Sequence, residues 1–258
     1  MQSTVSVALL PQLLPGDWAR AGAIAVVIDT LRFTSTACVA LSAGASAITV
    51  VSDIERAKQL AAASHGRLRL CGERACVRIG GFDRGNSPAE YTPSNVAGYE
   101  LIFSTTNGTV AVEAALPAHE ILLASLLNRA AVCEWLGRAA RPPALRNESS
   151  TVWCVCAGTD GQVALEDVLT AGAIIERLRQ AGHGWQLGND ASLLALDAWK
   201  SVAISPGNAA IVDRMHDAIG GRNLVEAGFA DDLVAVAQLD SLTAVPCQSG
   251  PRRFENGG

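Results

Sequence analysis

Apolar residues recur along the chain in short runs, each followed by a polar turn and then by a stretch with helical spacing. Residues 23–28 form the first clear run and read as a buried strand. The turn 29–33 follows, and 34–43 reads as a helix closed by Gly44. Residues 47–51 are the next strand, after which Ser52 and Glu55 make a capping box at the head of a helix. Residues 67–71 and 100–103 read as strands separated by a long loop. Residues 120–124 are a strand leading into a helix over about 128–140, and 152–156 a strand leading into a long helix over 164–180. Helices are expected at 192–202 and 208–219, with a short last strand at 242–245. Residues 246–258 read as a flexible tail.

Strands alternating with helices predict an α/β fold, a layered α/β/α sandwich with a largely parallel or mixed sheet. The expected organisation is a single α/β domain over 1–245, or two intimately joined lobes split at the polar, proline-containing stretch 141–150. In such sheets ligands gather at the carboxyl ends of the strands, so the residues just after each strand should converge.

With 258 residues, 49% of them hydrophobic, the chain can bury a substantial core. A formal net charge of −5 and the lack of a basic block argue against a nucleic-acid partner. No segment is apolar for long enough to suggest a membrane partner. The seven cysteines are odd in number and match no zinc spacing, and no secretory leader is evident, so a reducing, cytoplasmic location is expected. The apolar composition permits a homodimer without requiring one.

The segments after the strands carry the candidate chemistry. Asp29, Glu73, Glu166 and Asp167 are hard oxygen donors of the kind magnesium takes. Arg32 and Arg74 are suited to gripping phosphate or carboxylate oxygens in pairs. Ser35, Thr36, Thr105, Thr106, Asn107, Gly108 and Thr109 bring hydroxyls and backbone N–H groups to helix starts, where anions bind. Each has a plainer role as well. Glu166 and Asp167 sit in the first turn of a helix, where acids favour the dipole, and Thr105–Thr109 contains an ordinary Asn-Gly turn. The four histidines lie outside these loops. An Asp-x-Asp-x-Thr motif and a Walker lysine are both absent.

Taken in order, Asp29-Thr30-Leu31-Arg32-Phe33-Thr34-Ser35-Thr36, Gly72-Glu73-Arg74, the run from Gly81 through Asn86 to Tyr91, Thr105-Thr106-Asn107-Gly108-Thr109, Ser125-Leu126-Leu127-Asn128, and Cys156-Ala157-Gly158 with Glu166-Asp167 resemble the 2-phosphosulfolactate phosphatase family. Ala75 and Cys76 stand where that family often has glycine. The resemblance implies a magnesium-dependent phosphatase acting on a small anionic phosphate ester, converting 2-phospho-3-sulfolactate to 3-sulfolactate and phosphate, a step toward coenzyme M. Related phospho-α-hydroxy acids are further candidate substrates. On this reading Asp29, Arg32 and Glu73 are catalytic, and Arg74, Ser35, Thr36, Asn86, Thr105, Thr106, Asn107, Gly108 and Thr109 bind substrate phosphate. Magnesium is held by a subset of Asp29, Glu73, Glu166 and Asp167. A metal-dependent lyase or isomerase, or a small-anion binding protein, are the alternatives on the same scaffold.

Overall fold

The structure is a computed structural model that describes residues 3–19, 22–139, 151–182, 184–202 and 208–257. The expected connection at 141–150 therefore lies outside the described residues. The strands are β1 (Thr4–Ala8), β2 (Ile24–Ile28), β3 (Ala47–Val50), β4 (Leu68–Arg74), β5 (Val77–Arg78), β6 (Glu100–Ser104), β7 (Glu120–Ala124), β8 (Thr151–Cys156), β9 (Gln186–Leu187), β10 (Pro246–Gly250) and β11 (Arg253–Asn256). The α-helices are α1 (Phe33–Ser42), α2 (Ile54–Ala63), α3 (Pro93–Val96), α4 (Gly108–Ala115), α5 (Arg129–Ala139), α6 (Leu165–Gln180), α7 (Asp190–Lys200), α8 (Ala209–Asp217), α9 (Ile219–Glu226) and α10 (Ala230–Val236).

The strands form one mixed sheet in the order β5-β4-β6-β3-β11-β10-β7-β2-β8-β1-β9. β4, β6 and β3 pair in parallel, as do β7, β2, β8, β1 and β9. The antiparallel hairpin β10–β11 joins the two groups, pairing with β7 on one side and β3 on the other. The expected α/β architecture with a mixed sheet is what the chain adopts.

Side chains alternate across each strand, and this sorts the core into layers. In β2, Ala25 and Val27 join Phe33, Ala37 and Ala40 of α1 and Ala111 and Val112 of α4 on one face. Ile24, Val26 and Ile28 join α5, α6 and α7 on the other, through Val132, Ala171, Ile174 and Leu196. The far side of α6 is covered in turn, with Leu169 and Ala173 packing on Ile211 and Met215 of α8, Leu224 of α9 and Leu233 of α10. This outer helical layer brings α9 and α10 to the carboxyl end of the sheet.

Three expectations are corrected. Of the expected tail 246–258, residues 246–256 are not loose: β10 and β11 lie in the interior of the sheet, and Phe254 is fully buried against Ile48 and Phe103. Flanking strands supply the burial that so short and polar a hairpin does not announce by itself. Residues 242–245 are not a strand, and strand structure begins only at Pro246. Helix α2 is capped by Asp53, whose Oδ1 accepts from the Arg56 N–H at 2.9 Å, rather than by Ser52.

Candidate active site

The carboxyl ends of β2, β4, β6 and β8 open onto one cavity of about 170 Å³. Its walls are Asp29, Leu31 and Arg32 after β2, Glu73, Ala75 and Cys76 from β4 and its turn, and Asn86 from the long loop. Thr106 and Asn107 ahead of α4, Thr159 and Asp160 after β8, and Gly220, Asn223 and Leu224 of α9 complete it.

Asp29 ends the β2 corner. Its backbone N–H donates to Thr34 Oγ1 at 3.1 Å, and its Oδ1 accepts from the Phe33 N–H at 3.2 Å, so the turn into α1 fixes the carboxyl. Its Oδ2 faces the first turn of α4. A Cβ placed on Gly108 would lie 2.6 Å from Asp29 Oδ2 and 2.5 Å from Phe33 Cδ1, so only glycine lets that helix start sit against the carboxyl. The partial positive charge of the helix N-terminus is thereby brought to bear on Asp29.

Glu166, in the first turn of α6, is almost fully buried, and its Oε2 has no hydrogen-bond partner. Helix α9 closes over it, since a Cβ on Gly220 would be 2.2 Å from Glu166 Oε1. Burial raises the Asp29 carboxyl to about 7, with the charges of Glu73 and Glu166 adding to the rise and the Phe33 N–H and Arg32 opposing it. Burial likewise raises Glu166 to about 7. Asp29 thus stands on the cavity wall, and Glu166 lies behind Gly220 of that wall, near enough for its charge to act on Asp29.

The other two expected metal ligands are occupied. Glu73 Oε1 accepts from the Thr106 N–H and Oε2 from the Cys76 N–H, both at 2.9 Å, which ties the β4 turn to the loop after β6. Ala75 and Cys76 in that turn take φ of 48° and 65°, the left-handed region that glycine tolerates best. The Glu73 bond to Cys76 holds it there. Asp167 Oδ1 accepts from the Thr30 N–H at 2.8 Å and Oδ2 from the Gly158 N–H at 3.0 Å, clasping the corners after β2 and β8 together. Burial, then the charges of Glu166 and Asp29, push the Asp167 carboxyl well above its usual range, while these two donors pull it down. Among the described residues, no three histidine, cysteine, aspartate or glutamate side chains are gathered into a metal cage. Asp29 and Glu166 nonetheless fit magnesium, which keeps several waters and takes one or two carboxylates together with substrate phosphate oxygens.

Arg32 is buried at the cavity wall, with Nη1 donating to Asp232 Oδ2 at 2.7 Å and Nη2 to the Cys76 carbonyl at 2.8 Å. Of the expected phosphate cradle, Asn86, Thr106 and Asn107 line the cavity. Asn86 Oδ1 and Thr106 Oγ1 are buried there without partners, and Asn107 Oδ1 accepts from the Asp160 N–H. Gly108 is adjacent, through its approach to Asp29.

Five expected contributors serve the framework instead. Ser35 Oγ donates to the Thr30 carbonyl and Thr36 Oγ1 to the Asn86 carbonyl, in both cases as fully buried ties. Thr105 and Thr109 bond to each other at the start of α4. Arg74 is turned to β6, where Nη1 and Nη2 donate to the carbonyl and hydroxyl of Ser104, so it does not line the cavity. Sequence reasoning missed Asp232, Phe229, Gly220 and Asn223. Their signal is weak, because acids at a helix start and isolated glycines have ordinary readings.

The profile of the 2-phosphosulpholactate phosphatase family matches residues 8–251. The chain belongs to this family. It is 40% identical over 227 residues to the probable 2-phosphosulfolactate phosphatase of Symbiobacterium thermophilum, spanning 88% of this chain and 91% of that relative. It is 36% identical over 246 residues to the probable 2-phosphosulfolactate phosphatase of Thermosynechococcus vestitus, spanning 94% and 95%. The span matched to the 2-phosphosulpholactate phosphatase family takes in every segment of the cavity wall, from Asp29 to α9, and reaches into the central hairpin. Among the described residues no helix is long and apolar enough to cross a membrane.

Proposed function

We propose that this chain, a phosphoric monoester hydrolase by family, converts 2-phospho-3-sulfolactate to 3-sulfolactate and phosphate in the cytoplasm with the help of magnesium. The observation that carries the reading is the Asp29–Glu166 pair, two buried carboxyl groups raised to about 7, Asp29 on the cavity wall and Glu166 directly behind Gly220 of that wall with its Oε2 unpartnered. Two such groups are costly to bury near neutral pH unless a cation or a proton is shared between them. Asp29 and Glu166 are the residues that would hold magnesium, with Glu73 and Asp167 fixing the loops around them. Bound magnesium would supply charge neutralisation at the phosphoryl oxygens and orient the attacking group.

The chain's own groups then divide the remaining work. The first turn of α4, with Thr106 and Asn107, offers donors to the phosphoryl oxygens. Arg32 meets a negative group of the substrate. Asp29 has the position to take a proton from the attacking water, or to attack phosphorus itself. As the new P–O bond forms, the bond between phosphorus and the ester oxygen breaks, and that oxygen takes up a proton to leave as the hydroxyl of sulfolactate, the proton coming from the attacking water or, where Asp29 attacks, from solvent, with water then cleaving the aspartyl phosphate.

Release of inorganic phosphate from a panel of phospho-α-hydroxy acids, with magnesium and with chelator, tests this. Magnesium-dependent release is expected, with 2-phospho-3-sulfolactate preferred, and the Asp29→Asn variant should lose at least about a hundredfold in kcat. No release with magnesium saturating sinks the reading. Near-normal turnover by Asp29→Asn removes Asp29 from the chemistry.

A further inference from the structure

Helix α10 adds a carboxylate that stands apart from the Asp29–Glu166 pair. Asp232 is buried, and its two oxygens are divided between two partners, Oδ2 accepting from Arg32 Nη1 at 2.7 Å and Oδ1 from Ser87 Oγ at 2.6 Å. Phe229, at the head of α10, places its ring face 4.2 Å from the Arg32 guanidinium carbon. The Cys76 carbonyl takes Nη2. A planar fork held at both nitrogens and over one face keeps a single orientation, with its remaining N–H groups available at the cavity wall. The Asp232 charge also makes the buried guanidinium tolerable while the cavity is empty.

The same carboxylate reaches a second wall of the cavity. Ser87 is joined in the chain to Asn86, which lines the cavity, offers an amide N–H₂ as donor and has its carbonyl fixed by Thr36 Oγ1. Pinning Ser87 therefore sets where the Asn86 amide stands.

We propose that Asp232 is the positioning residue of an acid-tail subsite, orienting Arg32 directly and Asn86 through Ser87 so that together they receive the carboxylate or sulfonate of the substrate that is not transferred. This rests on the phosphatase reading above and names the part of the site that would select acid-bearing esters. A groove that recognised phosphate alone would need no anchored guanidinium on this wall.

Calorimetric titration with two probes, 3-sulfolactate and inorganic phosphate, separates the subsite from the fold. Wild type, Asp232→Asn and Ser87→Ala are compared in the presence of magnesium, alongside turnover of 2-phospho-3-sulfolactate. Asp232→Asn should weaken 3-sulfolactate binding by about tenfold and phosphate binding by less than about threefold. KM should rise with little change in kcat. Ser87→Ala, which removes one hydroxyl and leaves the ion pair, should show the same asymmetry at about threefold, and keeps the test alive should Asp232→Asn not fold. Equal weakening of both probes, unchanged 3-sulfolactate binding, or no 3-sulfolactate binding by the wild type overturns the subsite. Wild type that binds 3-sulfolactate yet releases no phosphate from its ester overturns the phosphatase reading and leaves the subsite standing.

Discussion

Gly108 marks the point where α4 comes closest to the Asp29 carboxyl. Alanine would raise helix propensity there, by up to about 1 kcal/mol. The added methyl would nevertheless fall 2.5 Å from Phe33 Cδ1 and 2.6 Å from Asp29 Oδ2, closer than real contacts allow. Phe33 has no room to yield, being fully buried and packed edge-on against Phe103. Gly108→Ala should therefore lose about 1–3 kcal/mol of stability by overpacking and lower kcat/KM, read by thermal unfolding and phosphate release. Unchanged melting and turnover would mean that the approach of α4 to Asp29 is unimportant. Glu166 and Asp167 teach a related lesson. As neighbours in one helical turn they are equivalent in sequence, both suited to the helix dipole and both hard donors. The placement of Thr30 and Gly158 separates them, since their N–H groups claim Asp167 and leave Glu166 Oε2 without a partner.

The central hairpin is the element with the largest structural leverage for its length. Phe254 carries the apolar content of β11 and is sealed among Ile48, Phe103 and their neighbours. Phe254→Ala should cost about 3–5 kcal/mol in chemical denaturation, the price of a core aromatic. A loose terminal segment would give no measurable change, and that outcome would refute the pairing of β11 with β3. The strand-helix rhythm of the longer parallel strands could be read directly, because continuous apolar runs such as those of β2, β7 and β8 are buried on both faces. The hairpin could not, because its burial comes from strands far away in sequence. Helices α9 and α10 escaped for a similar reason. Each is a short segment whose apolar face is defined only by α6 and α8 beneath it, and with them went Gly220 and Asp232. The corner after β2 was legible because strand, turn and helix lie next to one another there.

Across the whole molecule, two carboxyl groups raised to about 7 couple stability to pH. In an unfolded chain Asp29 and Glu166 would titrate at their ordinary 3.8 and 4.5, so folding favours their protonated forms. The stability they contribute is fully present below those values and is lost as pH rises through about 7. Metal-free protein should accordingly melt at a lower temperature at about pH 8 than at about pH 5, and magnesium should raise the melting temperature more at the higher pH, where both groups are ionised. A magnesium shift that is absent, or equal at the two pH values, would remove the pair as the cation site. The sheet itself carries one more consequence, for how the chain is made. Among the described residues its two parallel groups meet only through residues 246–256, which come after all the strands they join. During synthesis from the amino end, β3 and β7 must wait with their facing edges unpaired until the hairpin has left the ribosome. Assembly of this sheet is therefore bound to long-range pairing late in translation, a slow topology that leaves open strand edges for a chaperone to guard.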